Sequence, residues 1–132
     1  MKLILASHSD FAKGIKSAAE MIAGPQEDIY TFGMRPDEDM AMLEAEIREV
    51  VNTFPEGEEI LVLTDMFFGS PFNTVVSMMR DTKLYHVTGM NLTMVLEAAT
   101  QLNAGRTAKE VGEEIMESAV EGIISANEQL GL

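Results

Sequence analysis

Apolar and polar positions along the chain follow two different periods. Leu3-Ile4-Leu5-Ala6 is a short unbroken apolar run, and Ile60-Leu61-Val62-Leu63, closed by Thr64, is a stronger one. Unbroken runs of this length predict strands covered on both faces, as in a parallel sheet with helices on each side. Ile29–Gly33 reads as a weaker strand and Tyr85–Thr88 as a fourth. Between them the period becomes helical. Phe11, Ile15, Ala18, Ala19 and Ile22 mark one face of a helix over Asp10–Ala23, stopped by Gly24-Pro25. Met40, Leu43, Ile47, Val50 and Val51 mark a second helix, opening at Pro36-Asp37-Glu38 and reaching Thr53, before a loop at Phe54-Pro55-Glu56-Gly57. A third helix is expected over Pro71–Arg80, and two more over Leu92–Asn103 and Ala108–Leu130.

Alternation of strand and helix predicts the α/β class. The expected architecture is an open, mainly parallel four-stranded sheet with helices on both faces, a flavodoxin-like three-layer sandwich. With 132 residues and neither repeat nor linker, the whole chain reads as one domain. In such sheets, ligands bind beyond the carboxyl ends of the strands, where strand order reverses. The segments to inspect are therefore Ser7-His8-Ser9-Asp10, Met34-Arg35-Pro36, Asp65-Met66-Phe67-Phe68-Gly69-Ser70 and Gly89-Met90-Asn91.

Charge narrows the chemistry. Twenty-two acidic residues against nine basic ones give −13. Such a chain repels phosphate backbones and anionic lipid, which excludes a nucleic-acid role. Cysteine is absent, so thiolate nucleophiles, disulfides and zinc–thiolate sites are excluded. His8 and His86 are the only histidines, too few for a His-rich metal site. No apolar run approaches the roughly 18 residues of a membrane span. Met1-Lys2-Leu3-Ile4-Leu5-Ala6 is too short for a leader and runs straight into structured pattern, so a cytoplasmic protein is expected. Neither G-x-x-x-x-G-K-[ST] nor G-x-G-x-x-G occurs, which leaves nucleotide binding without a motif. No metal and no cofactor is expected.

His8 follows the first strand and precedes a helix. An imidazole is mostly uncharged at neutral pH and serves there as nucleophile or base. An anion attached to it would meet the free N–H groups of the helix start. The alternative is a histidine that merely lines the loop. Asp65 directly follows the strongest strand. If the first and third strands are neighbours, its carboxylate reaches His8, sets the tautomer and leaves the other ring nitrogen free to attack. Alone, Asp65 reads equally as a turn residue. In Gly69-Ser70-Pro71, Ser70 is expected to cap the third helix, with Pro71 in its first turn. Met66-Phe67-Phe68 reads either as core packing or as an exposed patch that meets a partner. The eleven methionines read mostly as adaptable core filler. His86 reads as a structural strand residue. Glu110, Glu113, Glu114, Glu117 and Glu121 read as a solvated helix face.

Taken together, three segments carry a resemblance. Leu5-Ala6-Ser7-His8-Ser9-Asp10-Phe11-Ala12-Lys13-Gly14 resembles the active-site histidine segment of the mannose-family enzyme IIA components of the bacterial sugar phosphotransferase system. Asp65-Met66-Phe67-Phe68-Gly69-Ser70-Pro71-Phe72-Asn73 resembles that family's second signature, and Gly89-Met90-Asn91-Leu92-Thr93-Met94 its third. The resemblance implies that His8 accepts a phosphoryl group from the carrier HPr through Nε2 and passes it to a IIB component. That component serves sugar uptake through membrane IIC and IID components, so membrane association is indirect. It implies that Asp65 orients His8, and that Ser9, Gly69 and Ser70 hold the phosphoryl oxygens. Met66, Phe67, Phe68 and Arg35 would form the docking surface, and a homodimer is expected. Lys13, Lys16 and Arg35 are the expected local counter-charges, on a surface less acidic than the rest. Two positions depart from the family's pattern: Ser9 and Phe68 stand where many members carry glycine.

Other readings stay open on the sequence. The phosphoryl donor subunit of phosphoenolpyruvate-dependent dihydroxyacetone kinases shares a Ser-His-Ser segment but lacks the Gly-Ser-Pro-Phe-Asn run of residues 69–73. A non-enzymatic module sensing phosphorylation state would hold phosphate without passing it on. A flavodoxin-like cofactor binder is disfavoured by the acidic, Trp-free chain and the missing phosphate motif.

Overall fold

The computed structural model describes residues 1–132. The elements are β1 (Lys2–His8), α1 (Phe11–Ala23), β2 (Ile29–Met34), α2 (Met40–Val51), β3 (Ile60–Thr64), α3 (Ser70–Met78), β4 (Tyr85–Thr88), α4 (Leu92–Gln101), α5 (Ala108–Glu121) and α6 (Ala126–Leu130). The four strands form one sheet in the order β2-β1-β3-β4, and all three pairings are parallel.

Alternation of side chains along each strand sorts the core into two layers. Leu3, Leu5, Leu61, Leu63 and Val87 point to one face and pack against α1, α4 and α5. Ile4, Ala6, Ile60 and Val62 point to the other and pack against α2 and α3, through Leu43, Ile47, Val75 and Met78. The expected three-layer sandwich is therefore the one observed. Because α1 and α2 lie on opposite faces, the β1–β2 and β2–β3 crossovers pass on opposite sides of the sheet, and a crevice opens at the carboxyl ends of β1 and β3. The register Ala6↔Thr64 places the residues after both strands side by side.

Several boundaries differ from expectation. β1 extends to His8, which ends the strand instead of standing two residues beyond it. The second helix starts at Met40, where Asp39 accepts the Met42 N–H, not at Pro36. The helix expected over Ala108–Leu130 is broken after Glu121, with Gly122 as its cap and a short separate α6 beyond. On α1, only Ala12 and Ala19 are fully buried, while Phe11 and Ile22 are exposed. The helix is turned so that its small residues meet the sheet and its larger ones lie at the flank. Methionine is not mainly core filler either. Met78, Met90 and Met94 are buried, but Met21, Met40, Met42, Met66, Met79 and Met116 are exposed at helix flanks and loops. No helix is long and apolar enough to cross a membrane.

Candidate functional site

β1 and β3 deliver His8 and Asp65 to one place. His8 Nδ1 lies 2.7 Å from Asp65 Oδ2, and the same oxygen accepts the His8 backbone N–H at 2.8 Å. Asp65 Oδ1 accepts the Met66 N–H at 3.0 Å. An ionised carboxylate can only accept, so Nδ1 carries the proton, and in the neutral ring Nε2 then presents its lone pair. The Asp65 side chain is 13% exposed and the His8 side chain 49%. The carboxylate is largely covered, and the imidazole is half exposed.

The loops around this pair are shaped by small residues. A Cβ on Gly69 would stand 2.8 Å from His8 Cε1, so only glycine lets the imidazole lie against the start of α3. A Cβ on Gly33 would stand 2.1 Å from the Ser9 carbonyl oxygen, so β2 needs glycine where the His8 loop crosses it. Ser9 and Phe68, the two departures from the family's pattern, have φ of 47° and 60° and are the only non-glycine residues at positive φ. Both side chains are thus held in a region that glycine occupies at no steric cost.

The expected phosphate contacts divide. The Ser9 N–H is already donated to the Met34 carbonyl at 2.8 Å, which leaves Ser9 only its exposed hydroxyl. Gly69, not Ser70, is the N-cap of α3, and no side chain caps that helix. Ser70 instead lies within its first turn, together with Pro71, which is expected there. An extended backbone at Gly69 (φ −75°, ψ 165°) brings the chain in from β3. The N–H groups of Ser70 and Phe72 therefore lack intrahelical acceptors, as the first N–H groups of any helix do, and Pro71 has none to offer.

Ser7 has a role that local sequence does not single out. It is fully buried, and its Oγ accepts the Ala12 N–H at 2.7 Å, satisfying the first turn of α1. Asp10, at the cap position, makes no such bond and pairs with Arg35 instead. A buried serine just before a helix is the signal that identifies it, but Ser9 and Asp10 compete for that reading.

Met66, Phe67 and Phe68 are exposed at 55%, 59% and 72% and contribute nothing to the core. Their rings pack on one another: Phe67 and Phe68 centroids are 3.9 Å apart, and Phe72 closes edge-on at 5.1 Å from Phe67. Phe72 in turn covers His86 at 5.1 Å. His86 Nε2 and Thr88 Oγ1 each lie 2.8 Å from Thr64 Oγ1, directly before Asp65. Burial pushes the His86 imidazole down to about 4. His86 is thus a structural strand residue, as expected, beneath the aromatic cluster.

The rim near His8 is not depleted of acid. A cleft lined by His8, Ser9, Met34, Arg35, Pro36 and Glu38 contains one cation. That cation, Arg35, donates to Asp10 at 2.7 Å and has Asp37 and Glu38 nearby. Lys13 and Lys16 do not line this cleft.

Residues 2–116 match the model of the family described as the PTS system fructose IIA component. The chain belongs to this family. Over 106 residues it is 32% identical to the sorbose-specific EIIA component of the PTS of Lacticaseibacillus casei, covering 78% of this chain and 75% of that one. Over 98 residues it is 28% identical to the fructose-specific EIIA component of Bacillus subtilis, covering 74% and 67%. Its fold superposes on the crystal structure of phosphotransferase system component EIIA from Streptococcus agalactiae with a TM-score of 0.86, at 30% identity and coverage of 94% and 95%. A PTS IIA component is a phosphotransfer protein of sugar uptake, and the His8–Asp65 pair lies where this fold places ligands.

Proposed function

We propose that this PTS IIA component is a phosphohistidine carrier in which His8 is the carrying residue. The observation that supports this best is the largely covered Asp65 carboxylate fixing Nδ1 of a half-exposed imidazole whose Nε2 is free. In the forward step, the Nε2 lone pair forms a bond to phosphorus. The P–N bond of the donor phosphohistidine breaks, and its electron pair stays on the donor nitrogen. Asp65 keeps the Nδ1 proton in place and balances the positive charge that develops on the ring. Ser70, the N–H groups at the start of α3, and the Gly69 and Ser9 segments receive the phosphoryl oxygens. Positioning and electrostatics carry phosphoryl transfer of this kind.

The donor is HPr and the acceptor a IIB component, which phosphorylates sugar entering through IIC and IID. Met66, Phe67, Phe68 and Arg35 form the docking rim. Exposed, mutually stacked aromatic rings beside a reactive atom suit a protein partner better than solvent. The carrier works in the cytoplasm and pairs as a homodimer. Exposed Val120, Ile123, Ile124 and Leu130 at the end of α5 and beyond support that pairing, and light scattering tests it.

The deciding experiment is transfer of label from phosphoenolpyruvate through enzyme I and HPr to this chain, comparing wild type with His8→Ala. Acid-labile label on wild type alone is expected, followed by its passage to IIB. An unlabelled wild type in the presence of phosphorylated HPr overturns the proposal. Label that never leaves the chain points to a sensing module instead.

A further inference from the structure

Arg35 and Asp10 approach His8 from two different loops. Asp10 follows β1 and Arg35 follows β2. The loops are tied by the Ser9 N–H on the Met34 carbonyl and by the close passage of the Ser9 carbonyl over Gly33. Backbone geometry therefore sets Arg35 in the wall of the cleft that His8 lines, with Asp10 beside it on the guanidinium. Arg35 Nη2 donates to Asp10 Oδ1, and the two side chains are 47% and 66% exposed. An ion pair this open is held weakly. Only one of the guanidinium's five N–H donors is engaged with Asp10.

The charges nearest Arg35 and His8 are mainly negative: Glu38 in the cleft wall, Asp37 and Asp10 beside Arg35, and Asp65 behind His8, with Lys13 near Asp10 as the exception. One Glu38 oxygen is buried without a hydrogen-bond partner. A phosphoryl group on His8 brings close to two further negative charges into this setting. It also brings three acceptor oxygens that match the planar guanidinium fork better than one exposed carboxylate oxygen does.

Resting on the carrier reading of His8, we infer that Arg35 is a charge-state switch: it pairs with Asp10 while His8 is free and moves to the phosphoryl oxygens when His8 is phosphorylated. No covalent bond or proton is exchanged. One guanidinium–carboxylate hydrogen bond is replaced by guanidinium–phosphoryl bonds, and the Asp10 carboxylate is left uncovered at the rim. The two states then differ in surface charge where partners dock. A donor meets a neutral pair, and an acceptor meets a free carboxylate beside the phosphoryl group.

The test uses the full chain and phosphorylated HPr. Nitrogen-15 NMR of the arginine side chains is recorded before and after phosphorylation; the chain has four arginines, and Arg35→Gln identifies the relevant signal. The Arg35 signal is expected to shift on phosphorylation while the other three stay. Arg35→Gln is expected to lower the phosphorylated fraction at equilibrium with HPr by about tenfold, the scale of one charge-assisted hydrogen bond. Asp10→Asn, which removes the competitor without removing a helix cap bond, is expected to raise that fraction. A labelled wild type whose Arg35 signal does not move overturns the switch and leaves the carrier intact. So do Arg35→Gln and Asp10→Asn shifting the equilibrium in the same direction. A wild type that takes no label overturns the carrier reading itself.

Discussion

One oxygen of Asp65 holds His8 twice, through the ring Nδ1 at 2.7 Å and through the backbone N–H at 2.8 Å. The carboxylate thus sets the ring's tautomer and the position of the strand end together. Asp65→Asn keeps the volume but replaces one of two accepting oxygens, which hold the His8 and Met66 N–H groups, with an NH2 donor. Phosphoryl transfer to His8 is expected to fall by about 100-fold or more, as when an orienting carboxylate is lost and the tautomer inverts. Nitrogen-15 shifts of the His8 ring should show the proton moved to Nε2. Near-normal transfer in Asp65→Asn would exclude an orienting role.

Gly69→Ala places a methyl group 2.8 Å from His8 Cε1. The imidazole is half exposed and can swing away, so the fold should survive with a loss of at most about 1 kcal/mol. Transfer should fall at least tenfold, because an ångström-scale shift of a reacting group costs rate steeply. Gly33→Ala meets backbone instead of a movable ring, and is expected to lower the melting temperature far more. A thermal melt beside a labelling assay separates the two effects.

Ser9 and Phe68 occupy positive φ. Replacing either with glycine removes a backbone cost of about 1 kcal/mol, partly offset by the extra freedom of glycine in the unfolded chain. Each variant is expected to be as stable as wild type or slightly more so in urea titration. Phe68→Gly should in addition weaken association with HPr or IIB, read by titration calorimetry, because it removes an exposed ring.

His86 gives the fold a pH dependence. Its folded value is pushed down to about 4 by burial, below the ordinary imidazole value of 6.5. Between those values the unfolded chain binds the proton and the folded chain does not. Stability therefore rises with pH through that window. It falls as pH drops from 6.5 towards 4, and below 4 this residue adds no further slope. His86→Gln retains a hydrogen-bonding group near Thr64 and removes the titration. Its urea midpoint should change less than that of wild type between pH 6.5 and pH 4.5. Identical slopes would place the acid sensitivity elsewhere.

Strands, their parallel arrangement and the two-sided helix cover were readable because Leu3–Ala6 and Ile60–Thr64 are apolar without interruption. Residues covered on both faces have no solvent side to mark with polar groups. His8 and Asp65 were readable as well, since each stands at a strand end. Helix ends were less readable. Pro36-Asp37-Glu38 has the composition of a helix start, yet Asp39 makes the capping bond. Gly122 inside a helical pattern is compatible with either a break or a continuous helix until packing chooses.

By itself, the sequence determined the fold class, the chemistry available and the residues at the strand ends, because hydrophobic periodicity and residue type are local properties. The tertiary structure alone decided that β1 and β3 are neighbours, which turns two separate residues into one hydrogen-bonded pair. It also decided that Phe67 and Phe68 lie outside the core, that Ser7 rather than Asp10 serves the first turn of α1, and that Arg35 is held by Asp10. Each of these depends on which surfaces meet across residues far apart in the chain, and no local pattern encodes that.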